Sequence, residues 1–559
     1  MISLLARRGA VTVCILLSAC AAGPMGRNGP PAVKTGYGDF LAARYAAVNN
    51  DPAAAAEFYI RALKAAPDNQ VMAGQGFLAS LLAGNPRAGA LAAKLPDNAL
   101  AIMLRGNEAA LSGDFTQAGD IFASLPADDI GGLLRPLLLA WSQLGQGNVQ
   151  AALNRLGPYF NNGPFGAVYV LNAALIADAN GDKQDAAQLY QAVSQDQPNL
   201  RLAQILASWD TRQDDPAQAK AVLQALIAAH PDLTLALPAL RHTLDKPVIA
   251  TPTQGMAEAY LTLAGSLGPQ QRLLRQAFLR LALQLRPDLS AARLLLASTQ
   301  AQSDDPRISP EPAQIKEALA TLAAVRPDDP YHVLAVLQEV DLLAQNNQPH
   351  QAVARLQPLL ATWPDNTGLL ADAGDVLRGS GDYAAALPYY TKAIAALGAN
   401  PPDQAWSLFF DRGICLDQSG DWKAAEPDLQ RALRMAPNQP YVLNYIGYSW
   451  ALRDQNLSQA ADMLKQAVAL DPNDGAVIDS LGYVELKRGE TDKALNLLTQ
   501  AVHLSPDNAE VNSHLGDAFW KAGYKLQAVY QWRRALSLGP DPKLKAVLEA
   551  QLAQHAPAE

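Results

Sequence analysis

The side chains able to do chemistry are scattered along this chain rather than gathered. His230, His242, His332, His350, His503, His514 and His555 include no pair four residues apart. Such a pair would set two imidazoles on one helix face for a metal ion, so no metal is expected. Cys415 stands alone in an apolar run, where a thiol acts as a small buried hydrophobe. Asp417 and Asp479 could be read as an acidic dyad, but a solvated face accounts for both. The sequence contains no phosphate-cradling glycine loop followed by Lys-Ser/Thr and no His-Glu-x-x-His. It has no Gly-x-Ser-x-Gly elbow either. The expectation is a non-enzymatic protein with no cofactor. An enzyme would need a non-repeat domain with a pocket hidden in residues 37–240. The other cysteines, Cys14 and Cys20, lie at the N-terminus, which excludes a disulfide framework. A net charge of −9 with no basic stripe argues against nucleic acid.

The elements that must position these groups are written in the spacing of small residues. Gly413, Gly447, Gly482 and Gly516 follow one another at 34, 35 and 34 residues. Ala425, Ala460, Ala494 and Ala528 keep step, and so do Ala432, Ala467, Ala501 and Ala535. Leu429, Leu464, Leu498 and Trp532 form a fourth column, and Pro437, Pro472, Pro506 and Pro540 a fifth. Each unit reads as two antiparallel helices. Glycine and alanine sit where helix backbones cross closely, and Phe409, Leu416 and Leu429 fill the space between crossings. Proline ends the second helix, because it lacks an N–H and clashes with the preceding turn. Gly420, Gly489 and Gly523 fall in the turn inside the unit. The one extra residue lies between Gly447 and Ala460, and Asp454-Gln455-Asn456 is its natural place. A unit of this kind cannot bury its apolar face alone, so the units stack. A chain that is 49% hydrophobic and 17% charged suits a helical body rather than a disordered one.

Five columns in one register near 34 residues closely resemble the tetratricopeptide repeat family. The resemblance implies an all-α fold, an α-solenoid of stacked antiparallel helix pairs, that binds other proteins. It also implies that the first helix of each unit lines a concave groove. By register, the groove positions are Phe410, Asp411, Asn444, Tyr445, Tyr448, Asp479, Tyr483, Lys487, Asp517 and Lys521. Tyr445, Tyr448 and Tyr483 would form an aromatic strip, which suits recognition because tyrosine offers large contact area at low entropic cost. The family's carboxylate-clamp subtype is not implied: Asn444 is isolated, and Asp479 and Asp517 would repel a carboxylate.

The N-terminus reads as an export signal over residues 1–20. Arg7 and Arg8 are followed by an apolar run, Gly9 to Ala19, of about 11 residues. It ends in Leu17-Ser18-Ala19-Cys20, which resembles the bacterial lipobox, and the resemblance implies lipidation of Cys20. Ala21 after the cysteine implies the outer membrane. Residues 21–35, with Gly23-Pro24 and Gly29-Pro30-Pro31, read as a flexible tether.

Residues 36–243 read as a degenerate version of the same repeat. Ala55, Tyr59, Ala62 and Pro67 match a half unit. Gly106, Gly113, Ala118 and Phe122 match the first two-thirds of a further unit; Gly181, Ala186, Tyr190 and Pro198 also fit, as do Ala219, Leu223 and Pro231. Leu153 to Ala167 matches no unit. Residues 244–255 break the period and read as a seam. Residues 256–400 resume it, with an irregular insertion from Gln302 to Pro312 and a good unit at 367–400. Four well-formed units occupy 406–540, and 541–559 a capping helix and tail. The functional expectation is a lipid-anchored scaffold or assembly factor. It would bind peptide or helix segments of envelope proteins on the periplasmic face of the outer membrane. A scaffold for exopolysaccharide export is the alternative; a groove offering mainly tyrosine favours it less than one rich in tryptophan would.

Overall fold

A computed structural model describes residues 36–126, 130–161, 163–193, 199–302 and 309–555. The residues read as an export signal and a tether, Cys20 among them, lie outside these, as do Pro198 and Pro306. The described residues form 30 α-helices and no strand. No helix among them is long and apolar enough to cross a membrane. The chain divides into two compact units at Leu95–Pro96. The first holds four helices, from Tyr37–Val48 to Ala88–Ala92. Its core takes in Ala55, Tyr59 and Ala62, the half repeat read in the sequence.

Residues 406–540 show how the columns build the second unit. The helices Trp406–Gln418, Pro440–Leu452, Gly475–Lys487 and Ala509–Lys521 are the first helices of four repeats. Trp422–Met435, Leu457–Leu470, Thr491–Leu504 and Lys525–Ser537 are the second. The glycine column on each first helix receives the bulky column of its partner. A Cβ on Gly482 would stand 2.7 Å from Leu498, and one on Gly516 2.5 Å from Trp532. The same relation joins Gly413 to Leu429, Gly374 to Tyr390 and Gly106 to Phe122. All of these pairs are 16 residues apart. Gly447 and Leu464 are 17 apart, and the extra residue sits in the turn. There Asp454 and Asn456 take left-handed backbone, φ 52° and 47°, where the other three units use a glycine. Asx residues tolerate that region through local hydrogen bonding.

Helix ends follow equally local rules. Asp421 accepts the Ala424 N–H and Asp382 the Ala385 N–H at the start of second helices. Asn366 and Asn508 do the same for first helices, accepting from Leu369 and Val511. These side chains satisfy N–H groups that have no partner inside the helix. Pro437, Pro472 and Pro506 each lie two residues past the last helical residue, Met435, Leu470 and Leu504. The last helix, Pro542–His555, buries Leu548 against Trp532 and Val529.

The middle of the chain departs from a simple stack. Leu153 to Ala167 is the end of the helix Val149–Leu156, two short 3₁₀ turns and the start of Gly166–Asn180. The break expected over 244–255 is shorter, because Thr251 accepts the Gln254 N–H and Pro252 opens a helix that runs to Ser266. Proline is suited to a first helical position, where no N–H is needed. That helix and its partner, Arg272–Leu285, do not simply extend the array. They pack back against the first helices Ala99–Leu111, Ile130–Gly145 and Gly166–Asn180. Gly255 lies flat against the Trp141 indole, where any side chain would clash. The Tyr260 hydroxyl donates to Asn107 Oδ1 at 3.2 Å, and Asn107 Nδ2 donates to Gln284 Oε1 at 3.1 Å. Arg201 grips Glu258 at 2.6 Å.

Candidate functional site

The first helices of the second, third and fourth C-terminal repeats touch from unit to unit, Phe410 of the first repeat reaches Tyr445 of the second, and the second helices make no comparable contact. The first helices therefore form a layer of their own. The large side chains on this layer build an aromatic strip. Phe410 stands edge-on to Tyr445 with ring centroids 5.8 Å apart. Tyr448 stands edge-on to Tyr483 at 5.6 Å, and Tyr483 lies 4.4 Å from the His514 ring. Phe410 and the three tyrosines are half-buried, so each is packed on one side and open on the other.

The hydroxyls are oriented by carboxylates. Tyr445 donates to Asp417 Oδ2 at 3.0 Å. Tyr448 donates to Glu510 Oε1 at 2.5 Å, reaching across two units. Burial, and then Glu510, push the Tyr448 hydroxyl well above its usual range. Burial does the same to Tyr445. Both therefore present a neutral ring. Lys487 pairs with Asp454 at 3.0 Å and lies 5.5 Å from the Tyr483 ring centroid. Lys521, although exposed, donates to the Leu486 carbonyl at 2.6 Å. Asp411 is held 3.4 Å from Arg378; burial raises its carboxyl to about 6 against the pull of that arginine.

Two readings of the acidic residues need correction. Asp417 and Asp479 do not lie on a solvated face: each side chain is 6% exposed. Asp417 is paired with Arg453, and Asp479 meets His514 Nδ1 at 2.7 Å. Asp479 and Asp517 are also less available as groove residues than the register suggests. Asp479 is spent on His514, and its second oxygen is buried with no hydrogen-bond partner among the described residues. Asp517 accepts from Trp532 Nε1 at 2.8 Å and Gln551 Nε2 at 2.9 Å, so it ties its own unit to the C-terminal helix. Asn444 Oδ1 is likewise buried, with no hydrogen-bond partner among the described residues. Carboxylates that accept buried N–H bonds are held by the fold rather than offered to a ligand.

His514 is the residue that the sequence reading missed. Burial pulls its imidazole down, but Asp479, Glu510 and Asp517 outweigh that and raise it above its ordinary value. The signal was present: His514 follows Asp479 by 35 residues, one repeat length, so the two fall on neighbouring first helices. Cys415 is fully buried among apolar side chains, and burial pushes its thiol up to about 12. Among the described residues no three of His, Cys, Asp and Glu stand together as a metal cage.

The corresponding face of the earlier repeats is occupied. There the first helices between Ala99 and Arg212 hold the pair Pro252–Ser266 and Arg272–Leu285. Among the described residues no helix pair packs on the strip from Phe410 to His514 in this way.

The Tetratricopeptide repeat family model matches residues 137–199, 337–405 and 410–475, and the TPR repeat model matches residues 482–523. A TPR repeat-containing protein of Pseudomonas aeruginosa is 26% identical over 198 residues, 33% of this chain and 30% of that protein. The match thus spans under a third of that relative's length. A tetratricopeptide repeat protein from Parabacteroides merdae aligns over 42% of this chain and 91% of its own, with a TM-score of 0.36 at 15% identity. The Cut9–Hcn1 hetero-tetramer of APC/C aligns over 94% and 97%, with a TM-score of 0.37 at 15% identity. The repeat matches fall on the helix pairs whose small and bulky columns interlock, and over these residues the chain is built of tetratricopeptide repeats.

Proposed function

We propose that this protein is a lipid-anchored, non-enzymatic scaffold or assembly factor of the bacterial cell envelope. It captures a peptide or helical segment of another envelope protein on the first-helix layer of residues 406–521. The observation that carries this reading is the aromatic strip from Phe410 through Tyr445, Tyr448 and Tyr483 to His514. Half-buried rings held by neighbours are pre-ordered, so little side-chain entropy is lost when a partner covers them. The repeat family supports protein binding in general. The chain supplies its own precedent, since the same face of earlier repeats already holds two helices. The envelope location rests on Arg7-Arg8, the apolar run and Leu17-Ser18-Ala19-Cys20, with Ala21 favouring the outer membrane.

A photo-crosslinking residue in place of Tyr448, in the native host, tests the capture face. One dominant envelope protein in the adduct is the expected result. An absence of adduct from folded, lipidated protein overturns it. Tyr448→Ala should weaken that capture by about 2 kcal/mol, as loss of a central aromatic anchor does, with helicity unchanged. Its hydrogen-bond partner Glu510 is exposed, so the freed carboxylate is solvated. A loss of helicity would show instead that this ring is structural. Separately, Cys20→Ser should abolish fatty-acid labelling, and labelling that persists would remove the lipid anchor from the reading.

A further inference from the structure

The break between Arg241 and Pro252 is not only a change of register. It forms one wall of a cleft of about 620 Å³, within the size range of small-molecule sites. Four other parts of the chain complete it: the helix Leu200–Arg212, the turn at Arg286–Ala291, residues 238–239, and the loop 326–331. Pro238, Ala239, Leu289 and Pro330 give it an apolar wall.

The polar lining is rich in hydrogen-bond donors. Arg201 and Arg286 bring two guanidinium groups to the floor of the cleft. Arg201 is held through Nε and Nη2 by Glu258, and through Nη1 by Gln204. Arg286 Nη1 donates to the Val248 carbonyl at 3.1 Å. Its Nε is buried and makes no short hydrogen bond among the described residues; its ion pair with Asp288 is long, at 3.5 Å. Burial, and then Arg201 beside it, lower the Arg286 guanidinium below its ordinary value against the pull of Asp288 and Glu258. The Tyr331 hydroxyl is buried as well, in a side chain only 7% exposed, and faces the Arg201 guanidinium.

Carboxylates are present too. Asp288 and Asp328 are each 74% exposed, so solvent screens most of their field. Asp329 is taken up by Ser290 Oγ at 2.7 Å and the Tyr331 N–H at 2.8 Å. At the rim Lys246 is exposed, and its ammonium makes no ion pair among the described residues. Its backbone is fixed, because the Lys246 carbonyl accepts from Ser208 at 2.6 Å. His242 and the Arg326 guanidinium, paired with Asp328 at 3.2 Å, stand on the same rim.

We propose that this cleft is a second binding site, for a small organic oxyanion. The ligand would be a carboxylate or phosphate on an apolar body, received by Arg286, Tyr331 and Lys246. A planar guanidinium donates in parallel to two oxygens of either group. The apolar wall of Pro238, Leu289 and Pro330 takes the remainder. The site is independent of the aromatic strip: its lining ends at Tyr331, and the strip begins at Phe410.

Titration of the full chain with inorganic phosphate, and in parallel with glutarate, tests the proposal. Ionic strength is held constant with sodium chloride, and binding is read by calorimetry. Saturable binding of either anion is expected, and the tighter one identifies the oxyanion. Lys246→Glu sets a carboxylate on the rim at an exposed position, and should weaken binding roughly tenfold or more, the scale of a charged hydrogen bond lost. Lys64→Glu, an equal charge change at another exposed lysine, should leave it unchanged. Arg286→Gln should abolish it, and Lys246→Glu decides the matter if that variant does not fold. Heat that scales only with salt, or equal affinity in parent and Lys246→Glu, overturns the proposal.

Discussion

Glu258→Ala is expected to cost about 3–5 kcal/mol of unfolding free energy, the scale of a broken buried ion pair. Glu258 is 1% exposed and accepts from Arg201 at 3.1, 3.2 and 2.6 Å. The Arg201 side chain is 14% exposed, so solvent cannot replace the lost acceptor. Removal leaves a guanidinium with Gln204 as its remaining acceptor. The effect should concentrate where the pair acts, between the helices Leu200–Arg212 and Pro252–Ser266. Hydrogen exchange should therefore show the Pro252–Ser266 helix opening before the four C-terminal repeats. Replacing both partners with apolar residues, Arg201→Met with Glu258→Leu, should recover most of the loss, because no buried charge is then left unpaired. Unchanged urea denaturation in Glu258→Ala would mean that this pair does not hold the folded-back helices.

Ala494→Trp is expected to destabilise the array by about 1–3 kcal/mol or more through overpacking. Ala494 is fully buried against Leu486, Leu498, Leu515 and Ala518. It stands where the helix Thr491–Leu504 crosses first helices of its own unit and the next. An indole there must push the axes apart, and close-packed interiors relax only partly. Neighbouring units share each interface, so the loss should spread to the adjacent repeats rather than stay in one helix. Asp492→Ala, at an exposed position on the same helix, should move the thermal midpoint little. Equal melting of Ala494→Trp and the parent would contradict the packing register.

The repeat array was legible because its information is local. A glycine and the bulky residue it receives are 16 positions apart, and the next copy begins 34 or 35 later. Even the irregular turn was readable, since one added residue near Asp454 could only be taken up between helices. The groove was legible in part. Register put Phe410, Tyr445, Tyr448 and Tyr483 on first helices, and those rings do meet across neighbouring units. It could not say which polar side chains stay free. Asp517 and Lys521 share a helix with similar spacing to their neighbours, yet one is captured by Trp532 and Gln551 and the other by the Leu486 carbonyl.

From the amino-acid order alone came the helical class, the repeat, the helix ends and the alternation of small and bulky residues at crossings. Each depends on groups within one or two repeat lengths, where chain connectivity holds the partners near one another. Only the tertiary structure decided that residues 252–285 turn back onto the helices between Ala99 and Arg212. The contact of Tyr260 with Asn107 spans 153 residues and follows no period. It also decided that Asp479 and His514 meet in the interior, and that Arg286 and Tyr331 line one cleft. Those outcomes depend on which surfaces remain after the units have stacked, and residue spacing does not encode that.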